Sequence, residues 1–118
     1  MHGFCHIELP TRDLDKAATF YSSLFGWEMF PLPGMDYVVF SAGDQAVGGG
    51  IQKVDNIVNT PRVYNYVEVE DIDALLTKAE SLGAKIIQPK KLLPDASWGA
   101  TGILETKDGY HLGLWAKS

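Results

Sequence analysis

His6 and Glu8 are the first residues in the sequence whose chemistry and spacing suggest a function. They stand two positions apart in the segment 4–9, which is predicted to be a strand, and alternate residues of a strand point to the same face. An imidazole and a carboxylate on one face can take up and deliver protons near neutral pH. The same spacing also arises by chance on ordinary strands. We therefore predict His6 and Glu8 as the acid–base pair if the protein is catalytic.

A second set of polar and aromatic residues falls on two predicted strands of the second half, 63–69 and 110–115. In each strand, apolar side chains alternate with His, Glu, Tyr or Trp. Aromatic rings are costly on open surface and natural in a ligand-binding cleft, although a solvated sheet surface is the alternative. The residues predicted to bind a ligand are Tyr64, Tyr66, Glu68, His111 and Trp115. The loop residue Trp98 joins them as a lid, with plain packing as its alternative.

Two amphipathic helices with the same start and stop signals position these strands. In the first helix, Asp13 is the N-cap, apolar residues recur at helical spacing, and Gly26 ends the helix. In the second helix, Asp71 and Gly83 take the same roles. The apolar stripe of each helix predicts one face buried against a sheet.

Both halves of the chain repeat one order of elements: a strand, a helix and three further strands. The strands are predicted at 4–9, 27–31, 37–42 and 45–52, and again at 63–69, 85–88, 99–105 and 110–115. A duplication of this kind sets the topology of the whole chain. It predicts an α+β fold of two tandem βαβββ modules, about 3–55 and 62–116, joined by a polar linker at 56–61.

Length and composition exclude several classes of protein. The 118 residues are 46% hydrophobic and 21% charged, which is typical of a single globular domain, here residues 1–118. The net charge of −5 disfavours nucleic acid as a partner. We expect no membrane partner, because no apolar stretch approaches the roughly 20 residues of a membrane span. We expect no signal peptide, because the first residues lack a basic region followed by an apolar run. The lone Cys5 excludes an intrachain disulfide, fits a cytoplasmic location, and by strand alternation faces the helix, where it is a poor nucleophile.

These motifs, in this order, resemble those of the vicinal oxygen chelate superfamily, which includes glyoxalases, bleomycin-resistance proteins and extradiol dioxygenases. The first half contributes His6-Ile7-Glu8-Leu9-Pro10, Asp13-Leu14, Phe20-Tyr21 and Phe25-Gly26-Trp27. The second half contributes Val67-Glu68-Val69, Asp71-Ile72-Asp73, Gly83-Ala84, Trp98-Gly99, Asp108-Gly109 and Gly113-Leu114-Trp115. The resemblance covers nearly the whole chain and is greatest to small bacterial glyoxalase-like members. It implies a curved mixed β-sheet that encloses a cleft, and a homodimer.

Metal-dependent members of the superfamily hold Zn, Ni, Mn or Fe with up to four His or Glu side chains. Carried over one at a time, those positions fall on His6, Tyr64, Gly113 and the glycine run 48–50. Only His6 keeps a metal-binding side chain, whereas zinc and similar ions need three or four converging ligands. We therefore expect no metal and no other cofactor. The glycine run itself predicts a close approach of backbone or a bulge in the strand, with lining of the ligand cavity as the alternative.

The sequence thus predicts a glyoxalase-like protein that binds a small organic molecule in an aromatic-lined cleft, without a tightly bound metal. Two alternatives stay open. One is a metal-dependent lyase, similar to lactoylglutathione lyase, or a dioxygenase. In it, His6 is one ligand and the others come from Glu8, Glu68 or His111. The other alternative is a protein that sequesters a drug or toxin and catalyses nothing.

Overall fold

The computed structural model describes residues 2–118, and the chain divides into two compact units, one ending at Ile57 and one beginning at Val58. Unit one contains β1 (Ile7–Thr11), α1 (Leu14–Phe25), β2 (Glu28–Pro31), β3 (Tyr37–Ser41) and β4 (Gly49–Lys53). Unit two contains β5 (Tyr66–Glu68), α2 (Ile72–Ser81), β6 (Lys85–Leu92), a 3₁₀ turn (Ala96–Trp98), β7 (Ala100–Glu105) and β8 (His111–Ala116). This order confirms the predicted α+β fold with two βαβββ modules.

Each unit has one four-stranded mixed sheet with the same order of strands. The orders are β1-β4-β3-β2 in unit one and β5-β8-β7-β6 in unit two. In both sheets the first and last strands of the unit are parallel neighbours, and the remaining pairs are antiparallel. Residues that are far apart in the sequence therefore share one face of a sheet.

Both helices begin and end at the predicted signals. The side chains of Asp13 and Asp71 each accept a hydrogen bond from a backbone N–H in the first turn of their helix. Gly26 and Gly83 follow the helices with φ of 75° and 98°, values that favour glycine. Neither helix of the described residues has the length and hydrophobicity needed to cross a bilayer.

Each helix covers one face of the sheet of its own unit. In unit one the buried side chains between helix and sheet are Leu9, Ala17, Tyr21, Leu24, Val38, Phe40 and Ile51. In unit two they include Ile72, Leu76, Leu104, Leu112 and Leu114. Burying each large apolar side chain stabilises the fold by about 1.5–3 kcal/mol. The opposite face of each sheet, which we call the helix-free face, carries the polar and aromatic residues.

Some strand ends differ from their predicted positions. β1 begins at Ile7 because Ile7 is the first residue to pair with β4, which itself begins at Gly49. Cys5 therefore precedes the strand and is exposed, so the prediction that it faces the helix is wrong. β6 continues to Leu92 through Pro89, which an edge strand tolerates because one side of its backbone needs no partner in the sheet.

Candidate functional site

His6 and Glu8 are brought together on the helix-free face of unit one by a third residue, Tyr37. The Tyr37 hydroxyl donates a hydrogen bond to Glu8 Oε2 at 2.7 Å, and His6 Nε2 lies 2.7 Å from the same hydroxyl. His6 Nε2 and Glu8 Oε2 are 3.5 Å apart. The rings of His6 and Tyr37 are nearly parallel, with 9° between their planes. The two residues predicted from sequence are therefore members of a three-residue hydrogen-bonded chain.

Tyr37 acts in this chain as a hydrogen-bond donor. Burial of the Tyr37 hydroxyl, its hydrogen bond to Glu8 and the negative charge of that carboxylate together raise the pKa of Tyr37 to about 12. Each of these effects favours the neutral phenol over the phenolate. The hydroxyl consequently keeps its proton at neutral pH.

Gly50 provides the space that the Tyr37 side chain occupies. Gly50 lies in β4 directly between Glu8 of β1 and Val39 of β3. A Cβ atom at position 50 would collide with the hydroxyl and ring of Tyr37, and one at Gly49 would collide with the backbone of Ile7. The close approach of backbone predicted for the glycine run is confirmed at Gly49. At Gly50, the missing side chain leaves room for the Tyr37 ring.

The helix-free face of unit two carries five of the residues predicted to bind a ligand. Tyr66 pairs with Gly113, and Glu68 pairs with Trp115, across the parallel strands β5 and β8. The Tyr64 ring centre lies 6.3 Å from that of Tyr66 and 6.5 Å from that of His111. Tyr66 is 49% exposed. Unit two therefore has its own cluster of rings on this face.

His111 is held by two residues that the sequence analysis did not identify. Its Nε2 lies 3.1 Å from Glu105 Oε1, directly across the β7–β8 pair. Its backbone N–H donates to Asn59 Oδ1 at 3.0 Å, and Asn59 in turn donates to the carbonyl of Gly109 at 2.8 Å. The register of the predicted β7–β8 hairpin could have identified Glu105. The contact of Asn59, more than 50 residues away in sequence, had no local signal.

Trp98 and Trp115 are linked through the backbone of Trp98. The Trp115 indole N–H donates to the Trp98 carbonyl at 2.8 Å, which fixes the 3₁₀ turn against β8. The Trp98 side chain itself is 57% exposed. The turn is thus anchored, while the Trp98 ring stays accessible.

The residues at the superfamily's metal-binding positions do not fit a metal. A Cβ atom at Gly113 would lie 2.5 Å from Tyr66 Cδ1, and one at Gly50 would collide with Tyr37. Within either unit, the described residues contain no group of three or more His, Cys, Asp or Glu that could hold an ion. At Gly113, and at Gly50 within the glycine run, a neighbouring tyrosine ring lies where a side chain would begin.

Comparison with known protein sequences gives one family and several relatives. The sequence model described as bleomycin resistance protein-like N-terminal matches residues 4–43. CFP32 of Mycobacterium bovis, whose name provisionally assigns it as a glyoxylase, is 30% identical over 120 residues, covering 92% of this chain and 43% of CFP32. A glyoxylase-like domain-containing protein of Didymella fabae is 31% identical over 93 residues, covering 72% of each chain. The chain spans less than half the length of CFP32.

Among solved structures, the fosfomycin resistance protein FosX of Listeria monocytogenes has the same fold. A mutant of FosX superposes with a TM-score of 0.81, covering 100% of this chain and 92% of FosX, at 18% sequence identity. At that identity the likeness describes the arrangement of helices and strands alone.

Proposed function

The chain belongs to the glyoxalase/bleomycin resistance/dioxygenase family of the vicinal oxygen chelate superfamily, and from that premise we propose that it binds a small organic molecule on its helix-free faces without a tightly bound metal. The observation that carries the proposal is the same in both units. A glycine stands at, or in the run that corresponds to, one of the superfamily's metal-binding positions, and a tyrosine ring lies over it: Tyr37 over Gly50 and Tyr66 over Gly113.

The chemistry of these faces suits an organic ligand. Aromatic rings offer apolar contact area, and their hydroxyl, imidazole and indole groups supply a few fixed hydrogen bonds. Tyr66 and Trp98 are both about half exposed, so their rings are accessible to a ligand. His6 and Glu8 are the residues that we propose as proton carriers if the ligand is transformed.

The metal-dependent alternative has less support. Glu8 and His111, two residues that could complete a metal site, are already hydrogen-bonded to Tyr37 and Glu105. A mutant of FosX was solved with Mn(II) and 1S,2S-dihydroxypropylphosphonic acid. A metal-dependent lyase or dioxygenase would likewise require several ligands from this chain that converge on one ion. Freeing Glu8 and His111 would break the hydrogen bond that each makes within its own unit.

Binding without turnover is a second candidate, favoured by the match to the bleomycin resistance-like family over residues 4–43. Mass spectrometry of a ligand recovered after incubation separates the two candidates. An unchanged ligand supports sequestration, and a changed one supports catalysis. A homodimer and a cytoplasmic location remain part of the proposal, and light scattering of the purified protein tests the dimer.

A ligand screen on metal-free protein tests the proposed function. The protein is treated with chelator, and aromatic fragments are added while backbone amide signals are followed by NMR. We expect signals of Gly50 and Gly113 to shift, because these glycines lie beneath the tyrosine rings. Binding that appears only after Zn, Mn, Ni or Fe is restored would contradict the proposal.

A further inference from the structure

One row of residues crosses the whole helix-free face of unit one. The pairing of the strands places Glu8 of β1, Gly50 of β4, Val39 of β3 and Phe30 of β2 side by side. Neighbouring strands lie about 4.8 Å apart, so the row is roughly 14 Å long. The Tyr37 ring lies over Gly50 within this row, so a molecule of two linked rings that follows the row would rest on that ring.

The two ends of the row differ in chemistry. At one end Phe30 is 47% exposed and stands beside the half-buried Val39, which together form a small apolar surface. At the other end Glu8, Tyr37 and His6 form the hydrogen-bonded chain. A molecule that lies along the row therefore meets an apolar surface and a polar group at opposite ends.

The direction of the hydrogen bonds fixes which nitrogen of His6 is available. Tyr37 has one hydroxyl proton and donates it to Glu8, so His6 Nε2, 2.7 Å from the hydroxyl oxygen, must be the donor to Tyr37. In the neutral imidazole the second nitrogen, Nδ1, is then a hydrogen-bond acceptor. Among the described residues none hydrogen-bonds to Nδ1, and the side chain is 46% exposed.

The charges of this face disfavour an anionic ligand. The strand residues on it are Glu8, Pro10, Glu28, Phe30, Tyr37, Val39, Ser41, Gly50 and Gln52. Two of them are carboxylates and none is a lysine or arginine. An anion at the Glu8 end would be repelled by a like charge that has no opposing lysine or arginine among the strand residues of this face.

We propose that this row, which we call the unit-one row, binds an uncharged molecule with an aromatic or apolar body and one O–H or N–H donor. The body lies against Phe30 and Val39, and the donor bonds to His6 Nδ1. Tyr37 is the positioning residue, because its hydroxyl holds His6 in the tautomer that leaves Nδ1 free to accept. The inference rests on the proposed function and names the ligand class for one of its faces.

Three matched probes test the ligand class: 4-phenylphenol, its methyl ether 4-methoxybiphenyl, and biphenyl-4-carboxylate. Affinities are measured at neutral pH by NMR titration of the metal-free protein. We expect 4-phenylphenol to shift the amide signals of Phe30, Val39 and Gly50. The methyl ether should bind roughly tenfold more weakly, since it lacks the donor. The carboxylate should not bind to the wild type, and it should gain affinity in Glu8→Gln, which removes the like charge.

Variants assign the roles of the individual residues. His6→Ala should remove the difference between the phenol and its ether, and Phe30→Ala should weaken both probes alike. Leu92→Ala, an exposed apolar residue of unit two, is the matched control and should change neither. Long-range ¹H–¹⁵N spectra of the imidazole should report the Nε2–H tautomer in the wild type and a mixture in Tyr37→Phe, which keeps the ring and loses the hydroxyl.

The outcomes separate this inference from the proposed function. Equal affinity of phenol and ether, or shifts confined to unit two, would overturn the unit-one row as the donor-recognition site while leaving metal-free binding intact. An absence of binding by all three probes would likewise overturn the ligand class. Binding that requires an added metal ion would overturn the proposed function itself.

Discussion

The hydroxyl of Tyr37 lies in the space that any side chain at Gly50 would need. The two residues lie diagonally across β3 and β4, since Tyr37 pairs with Gln52 and Gly50 with Val39. The tyrosine reaches over the glycine and donates a hydrogen bond to Glu8 on the far strand. Because Gly50 has no side chain, Tyr37 of β3 can bond to Glu8 of β1 across the intervening strand β4. The hydrogen-bonded chain on this face therefore depends on a glycine at position 50.

Gly50→Ala should destabilise the protein by about 1–3 kcal/mol, because the new Cβ atom must displace the Tyr37 ring or the strand beneath it. Denaturant unfolding measures the change in the free energy of unfolding. In the Tyr37→Ala background the same substitution should cost much less, because the space is then vacant. Equal costs in the two backgrounds would mean that Tyr37 is not what the glycine accommodates.

Gly113→Ala should destabilise the protein by about 0.5 kcal/mol, which is less than the cost of Gly50→Ala. The obstacle there is the ring of Tyr66, which is 49% exposed and can turn into solvent. The same unfolding measurement compares the two variants. A cost at Gly113 as large as that at Gly50 would show that the Tyr66 ring is held in place more firmly than its exposure indicates.

Asn59→Ala should destabilise the protein by about 1–3 kcal/mol, because it leaves the His111 N–H and the Gly109 carbonyl without their partner. Hydrogen exchange of the His111 amide should become faster. Asn56→Ala, an exposed residue of the same linker, is the control and should be nearly neutral. Unchanged exchange at His111 would contradict the tethering role of Asn59.

Tyr37 should make stability depend on pH in the alkaline range. The fold raises the pKa of Tyr37 from 10.0 to about 12, so the folded protein binds more protons than the unfolded chain between these values. Its contribution is therefore fully present below pH 10.0 and is lost as the pH rises to about 12. Ultraviolet titration should show a late-ionising tyrosine that is absent in Tyr37→Phe.

Tyr110 provides the comparison for that titration. Burial raises its pKa as well, partly opposed by the hydrogen bond from Asn65. Tyr110→Phe should therefore leave the ionisation of Tyr37 in place and remove a separate late component. If Tyr37→Phe instead removes an ordinary tyrosine ionisation and leaves the late components in place, the Tyr37 hydroxyl does not bond to Glu8 as described.

The fold could be predicted from the sequence because its signals are local. Caps at Asp13 and Asp71, glycines after both helices and a repeated order of elements each follow from neighbouring residues. The start of β1 could not be predicted from local signals, because it is set by Gly49, the first residue of β4 to pair with β1. For that reason the prediction that Cys5 faces the helix was wrong.

The candidate site was predictable only in part. Alternation predicted that His6 lies near Glu8 and Tyr64 near Tyr66, although His6 and Tyr64 precede β1 and β5. Tyr37 was missed because its role depends on the register of three strands and on the gap at Gly50. Once β1 and β4 are known to be parallel neighbours, a glycine between a carboxylate and a tyrosine-bearing strand is the signal that identifies it.

The metal content of the protein tests the central claim most directly. Chain purified without chelator or affinity tag is incubated with Zn, Mn, Ni and Fe(II), exchanged into metal-free buffer and measured by elemental analysis. We predict that far less than a stoichiometric amount remains, because Gly50 and Gly113 have no side chain to offer a ligand and the described residues of either unit hold no group of three or more candidate ligands. Stoichiometric metal that is retained by the wild type and lost in His6→Ala would contradict this account.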